Sequence, residues 1–179
     1  MANIYIPFGT VEGQTARIAE YIAYVLREHG HEARTADLQT SGDALPQECD
    51  GVIVGASVHM GKHEEFVTDF VRANKAALER LPSALFSVSL AAHGDEENAE
   101  GYVQKFEQET GWRPAHVGLF GGALLYTQYG FLKRHMMKKI TRDKGSADLD
   151  ISRDYVYTEW AGVKHFTEDF LAGLPAAAH

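Results

Sequence analysis

Cysteine is almost absent from this 179-residue chain, Cys49 being the only one. One thiol forms neither an internal disulfide nor a thiolate metal cluster within a chain, so any redox chemistry requires a bound cofactor. Its place just before an apolar run suggests ordinary packing. Long apolar runs are missing too. No stretch approaches the roughly 18 to 20 residues of a membrane-spanning helix, and Met1 leads into a strand pattern without a basic segment or cleavage site, so a cytoplasmic protein is expected. Positive charge is scarce, with 17 Lys and Arg against 25 Asp and Glu and a net charge of −8. That balance argues against nucleic acid as a partner, because displacing phosphate counterions needs a net basic face. Internal repeats, low-complexity tracts and long Gly/Ser linkers are also lacking. What remains is a chain of 45% hydrophobic residues, sized for one core. We expect one domain over residues 1–174 and a mobile tail over 175–179.

The cations that are present are concentrated. Lys133, Arg134, Lys138, Lys139, Arg142 and Lys144 face only Asp143, giving residues 133–144 a net charge of +5 and leaving −13 to the rest.

Apolar runs bounded by turn residues recur at Ile4–Phe8, Gly51–Ala56, Ala84–Leu90 and Val117–Leu125, with a weaker alternating strand at His31–Leu38. Between them lie segments of helical spacing. Ile18, Ile22, Val25 and Leu26 mark the first, Phe66, Phe70, Val71 and Leu78 the second, and Tyr102, Val103 and Phe106 the third. A last helix carries Trp160, Val163, Phe166, Phe170 and Leu171, with Thr158 as its expected cap. Alternating strands and helices predict an α/β fold, an open doubly wound parallel sheet covered on both faces. Ligands of such sheets bind beyond the carboxyl ends of the strands, so function is sought there.

The first strand runs through Gly9 into Thr10-Val11-Glu12-Gly13-Gln14-Thr15 and then directly into a helix. The glycines permit close backbone approach, the hydroxyls of Thr10 and Thr15 can donate to phosphate oxygens, and the free amides of the helix start complement an anion. The loop has no lysine and fits neither the nucleoside-triphosphatase loop nor Gly-x-Gly-x-x-Gly, so a single terminal phosphate suits it best. Taken alone, it also reads as a capped helix start with turn glycines. Two further segments share its sheet edge: Gly55-Ala56-Ser57-Val58-His59-Met60-Gly61, and Ser87-Val88-Ser89-Leu90-Ala91-Ala92-His93-Gly94.

On these residues the chain resembles the flavodoxin family, whose FMN phosphate sits in a Thr-x-Thr-Gly-x-Thr-like loop and whose flavin ring lies between the two later loops. The resemblance implies a five-stranded sheet of order 2-1-3-4-5 and FMN held by Thr10–Thr15, Ala56–Gly61 and Ser89–Gly94. Glu12 replaces a residue that is often Thr. A carboxylate beside a phosphate is unfavourable, so Glu12 is expected to point to solvent. The ring loops lack the Trp and Tyr common in flavodoxins, which leaves His59, Met60 and His93 as candidates to approach the ring. No residue is singled out as catalytic.

A minimal flavodoxin passes almost directly from its fifth strand to its last helix. Here about thirty residues intervene, an insertion over 126–154. Tyr129, Leu132, Met136 and Ile140 recur at helical spacing, and Arg134, Lys138 and Arg142 form an i, i+4 series on the other side. The segment reads as a basic amphipathic helix, a form that settles on anionic membranes or packs its apolar stripe on its own domain. Tyr126, Tyr129, Leu132, Lys133, Arg134, Met136, Lys138, Lys139 and Arg142 are thus candidates for membrane or substrate contact.

A closer likeness covers nearly the whole chain, insertion included. Phe8-Gly9-Thr10 with Glu12-Gly13-Gln14-Thr15, Val54-Gly55-Ala56-Ser57, Leu81-Pro82-Ser83-Ala84, Gly111-Trp112-Arg113-Pro114, Gly122-Ala123-Leu124 and Val156-Tyr157-Thr158-Glu159-Trp160 resemble the menaquinone-dependent protoporphyrinogen IX dehydrogenases. These are FMN proteins of the long-chain flavodoxin group. The resemblance implies oxidation of protoporphyrinogen IX to protoporphyrin IX in heme biosynthesis, with electrons passed through FMN to menaquinone or another respiratory quinone at the inner face of the membrane. Two other readings remain open: a flavodoxin-type one-electron carrier and an NAD(P)H-dependent quinone reductase.

Overall fold

The computed structural model describes residues 1–143, 145, 148 and 150–176, apart from the side chains of 128, 131 and 132. The side chain of Leu132, all of Lys144 and tail residues 177–179 therefore lie outside the described residues. In chain order the elements begin β1 (Asn3–Gly9), α1 (Gln14–Glu28), β2 (Glu32–Asp37), α2 (Leu38–Ser41), β3 (Gly51–His59) and β4 (Lys62–His63). They continue with α3 (Glu65–Ala73), α4 (Lys75–Arg80), β5 (Ser83–Ser89), α5 (Glu96–Thr110) and β6 (His116–Gly121). After these come β7 (Ala123–Leu124), α6 (Phe131–Asp143), β8 (Tyr155–Val156) and α7 (Trp160–Ala172).

The five long strands are parallel in the order β2-β1-β3-β5-β6, the doubly wound arrangement expected from the alternation of periods. Alternate residues of each central strand feed opposite faces. Ile4, Ile6, Phe8, Ile53, Phe86 and Phe120 pack with Ile18, Ile22, Val163 and Phe170 of α1 and α7. Tyr5, Val52, Val54 and Leu85 pack with Phe70, Leu78, Val103 and Phe106 of α3, α4 and α5. Burying strands on both faces explains why they read as continuous apolar runs.

Several boundaries differ from the sequence expectation for local reasons. The helix marked by Phe66 to Leu78 is two helices, because the Asn74 side-chain amide donates to the carbonyls of Asp43 and Phe70 at 2.7 and 2.8 Å at the break. Gly55 to His59 is not a loop. It extends β3, and Met60 and Gly61, with φ of 50° and 80°, make a two-residue turn into β4, a hairpin geometry that left-handed residues favour. Ser87 and Ser89 likewise belong to β5, so the third loop starts only at Leu90. The apolar run Val117–Leu125 is broken at Gly122, after which β7 leaves the main sheet and pairs antiparallel with β8. At the break, a Cβ on Gly121 would meet the Tyr157 carbonyl oxygen at 2.5 Å, so only glycine permits the returning chain to cross there.

The insertion is a packed element with a small core of its own. Ala123, Leu124, Leu125, Tyr126 and Tyr129 form this core, joined by Met137, Ile151, Tyr155 and Tyr157. Asp154 closes it by accepting from the amide and hydroxyl of Thr127, each at 2.9 Å.

Candidate functional site

The carboxyl ends of β1, β3, β5 and β6 converge on a narrow cleft of about 90 Å³. Thr10, Glu12, Gln14 and Thr15 supply one wall, Ser57, Val58 and His59 another, and Ser89 and Leu90 a third. Gly122, Ala123 and Met137 of α6 complete the lining. The last three are residues that sequence reasoning missed. The Gly121-Gly122 pair at the end of an apolar run was the available signal; Met137 sits one position from the stripe assigned to Met136.

At the start of α1, Gly13 occupies the cap position with φ of 94° and no side-chain cap bond. The Gly13 amide donates to the Thr10 hydroxyl oxygen at 2.9 Å, which fixes the loop and leaves the Thr10 proton free to turn outward. With no side-chain cap bond at Gly13 among the described residues and no acidic residue in the first turn, this helix start presents positive potential to the cleft. Thr15 is 1% exposed and faces the same space.

Two buried polar atoms lining the cleft, Ser57 Oγ and Gln14 Oε1, have no hydrogen-bond partner among the described residues. An orphaned buried hydroxyl or amide oxygen is costly, and both lie where a bound polar molecule would satisfy them. Gln14, 5% exposed, is held by donating from Nε2 to the Thr158 hydroxyl at 2.8 Å. Thr158 in turn donates to the Gly121 carbonyl at 2.7 Å. That corrects the expectation for Thr158: it does not cap α7, whose cap position is Glu159, but ties the Thr10–Thr15 loop to the end of β6.

Glu12 is corrected as well. Rather than pointing to solvent, its carboxylate accepts from the Tyr129 hydroxyl at 2.7 Å and from Lys133 Nζ at 3.0 Å. Among the remaining expected contacts, Ala56 is buried in the core, and Met60 with Gly61 forms the hairpin tip, where Met60 is 90% exposed. The Ala92 amide donates to Ser89 Oγ at 3.1 Å and shapes the third loop. His93 does not line the cleft. Its ring stacks on Tyr157 at 4.4 Å, and with Ala91 and Gly94 it borders a neighbouring cavity of about 380 Å³ that shares Leu90 with the cleft. This second cavity has a mixed lining, with Leu90, Leu124 and Ile140 on the apolar side and His93, Thr141 and the acidic Asp95 and Asp148 on the polar side.

The insertion helix presents a different face from the one its spacing suggested. Tyr129 precedes α6 and is buried, whereas Met136 and Ile140 are 55% and 38% exposed. The inward face is instead Met137 and Thr141, the latter beside the buried Tyr126 hydroxyl at 3.3 Å. Arg134 is also turned inward, donating from Nε to the Tyr126 carbonyl at 2.8 Å, so it is not a surface cation of the i, i+4 series. Lys139 and Arg142 remain exposed on the outer face with Met136, while Ile140, part exposed, borders the second cavity.

The comparisons with known proteins agree with this geometry. A flavodoxin-domain family model matches residues 5–150. The chain is 33% identical over 167 residues to a protein of Escherichia coli strain K12 named protoporphyrinogen IX dehydrogenase [quinone], covering 92% of each chain. The chain belongs to this family of flavodoxin-domain oxidoreductases. A Leishmania major protein of the same name is 32% identical over 174 residues, covering 95% of this chain and 74% of its own length. The crystal structure of oxidised Flavodoxin 1 from Bacillus cereus superposes with a TM-score of 0.61 over 97% of this chain and 100% of that one, at 17% identity, which shows the shared fold. As a member of a flavodoxin-domain oxidoreductase family, the chain is a flavoprotein. Among the described residues no helix is long and apolar enough to cross a membrane.

Proposed function

We propose that this protein is an FMN-dependent protoporphyrinogen IX dehydrogenase that passes its electrons to menaquinone or another respiratory quinone. The observation that carries the reading is the phosphate-type loop at the end of β1, with the orphaned Ser57 and Gln14 oxygens facing the same cleft. The residues fit FMN. The α1 amides, Thr10 and Thr15 suit its phosphate, and Ser57, Ser89 and the main chain of Leu90 suit the polar edge of a flat ring. The cleft is narrower than a flavin, and Met137, an unbranched side chain with three rotatable bonds, is the wall best able to swing aside. FMN when bound supplies the electron and hydride acceptor; the chain's own residues bind and orient it and shield it from water.

The relatives' names support the substrate pair. Protoporphyrinogen loses six hydrogens in three two-electron oxidations, so an external acceptor has to intervene between them, and a quinone of the bilayer is such an acceptor. The outer face of α6 supports peripheral contact with that bilayer at the inner side of the membrane. Exposed Met136 shares a helix face with Lys139, three residues on, which is itself three residues from Arg142, a pairing of an apolar side chain and cations that suits an anionic interface. With Lys133 and Arg134 engaged internally, the surface attraction rests on Lys138, Lys139 and Arg142.

The test uses anionic vesicles carrying menaquinone. FMN-loaded protein is expected to sediment with them at low salt and to oxidise protoporphyrinogen there. Replacing Lys138, Lys139 and Arg142 by Gln is expected to weaken vesicle binding on the order of a hundred-fold, from about 1 kcal/mol per cation. If the parent protein stays in the supernatant at low salt, the membrane contact is wrong; turnover without it would still leave the dehydrogenase reading intact.

A further inference from the structure

A carboxylate in a loop built for phosphate is a local conflict, and the structure resolves it through the insertion. Glu12 lies between Thr10 and Gly13, the two residues whose bond shapes the loop. Its Oε1 accepts from Lys133 Nζ at 3.0 Å and its Oε2 from the Tyr129 hydroxyl at 2.7 Å, partners 121 and 117 residues away. Lys133 Nζ also lies 4.6 Å from the centroid of the Tyr129 ring, so ammonium, ring and carboxylate form one cluster.

The cluster is anchored from the insertion side. The Leu125 amide donates to the Tyr129 hydroxyl oxygen at 3.3 Å, which directs the hydroxyl proton toward Glu12. Arg134 reaches the Tyr129 carbonyl at 3.4 Å and the Tyr126 carbonyl at 2.8 Å, fixing the turn that carries the phenol. Burial first, then the bond to Glu12, pushes the Tyr129 phenol upward, so it stays a donor through neutral pH.

We propose that Lys133 and Tyr129 are positioning residues for the phosphate of the cofactor, acting through Glu12: they hold its carboxylate toward the insertion and offset its charge. The inference rests on the FMN reading of the cleft. Without the ammonium, Glu12 would add an uncompensated negative charge to a loop that has to accept a phosphate. The effect is moderate, because the Lys133 side chain is 38% exposed and solvent screens the pair.

The test measures dissociation constants for FMN and for riboflavin, which lacks the phosphate, by quenching of flavin fluorescence. Lys133→Met is expected to weaken FMN by about three- to ten-fold at low salt, less at high salt, while riboflavin changes by less than about two-fold. Combining Glu12→Gln with Lys133→Met should restore FMN affinity, because the charge in need of compensation is gone. Riboflavin binding doubles as the check that each variant is folded.

The proposal is overturned if Lys133→Met binds FMN like the parent, if FMN and riboflavin weaken equally, or if Glu12→Gln fails to rescue, each indicating lost packing rather than charge compensation. A parent protein that binds FMN no better than riboflavin overturns the phosphate reading itself, and this proposal with it.

Discussion

Replacing Thr15 by Ala is expected to weaken FMN at least about ten-fold. Thr15 lies in the first turn of α1, 1% exposed, with its side chain in the cleft, and the cap position before it is a glycine without a side-chain acceptor. The substitution therefore removes one hydroxyl donor to a charged acceptor, worth about 1.5 to 3 kcal/mol. The helix itself tolerates Ala, which has the higher helix propensity. Thermal stability of the flavin-free protein should thus change little while FMN affinity falls. Equal FMN affinity in parent and variant, measured by fluorescence quenching, would mean that the phosphate binds elsewhere.

Between about pH 6.5 and pH 4 the fold should lose about 3 kcal/mol of stability through one residue, His63. His63 is 6% exposed on β4, edge-on to Phe106 at 5.0 Å, with Nε2 at 2.7 Å from Ser87 Oγ. Burial disfavours its charged form and lowers its pKa to about 4, against about 6.5 for a solvated imidazole. As pH falls through this window the unfolded chain takes up a proton that the folded chain refuses, so acid favours unfolding. Above pH 6.5 both states hold a neutral ring and the penalty vanishes. In His63→Gln, which keeps a polar partner for Ser87, denaturant titrations should give a pH profile lacking this component. Superimposable profiles for parent and variant would show that His63 protonates freely in the fold.

Both predictions rest on features that were unequally visible in the sequence. The doubly wound sheet was legible because strands buried on both faces must be apolar throughout, and because helix periodicity interrupts them at regular intervals. The Thr10–Thr15 loop was legible because its chemistry is local: glycines, hydroxyls and a helix start within seven residues. His63 was not, since its partner Ser87 lies 24 residues away and one buried imidazole has no periodic signature.

The insertion shows the same division. Its helix and its basic charge follow from spacing and composition, whereas the face it turns inward does not. Tyr129 fits the apolar stripe numerically, yet it precedes the helix and points its hydroxyl at Glu12. Met137 rather than Met136 then becomes the cleft wall, a shift of one position that reverses which residues meet solvent. Arg134 looks like a surface cation until the carbonyls of Tyr126 and Tyr129 are found beside it. Such assignments depend on contacts made across more than a hundred residues or within a turn of irregular backbone, neither of which periodicity encodes.

The anaerobic reaction of the flavin-loaded protein with protoporphyrinogen and a soluble menaquinone analogue tests the central claim most directly. The account predicts fluorescent protoporphyrin and quinol forming together, far faster than with flavin-free protein. Porphyrin appearing at the same rate with and without flavin would contradict it.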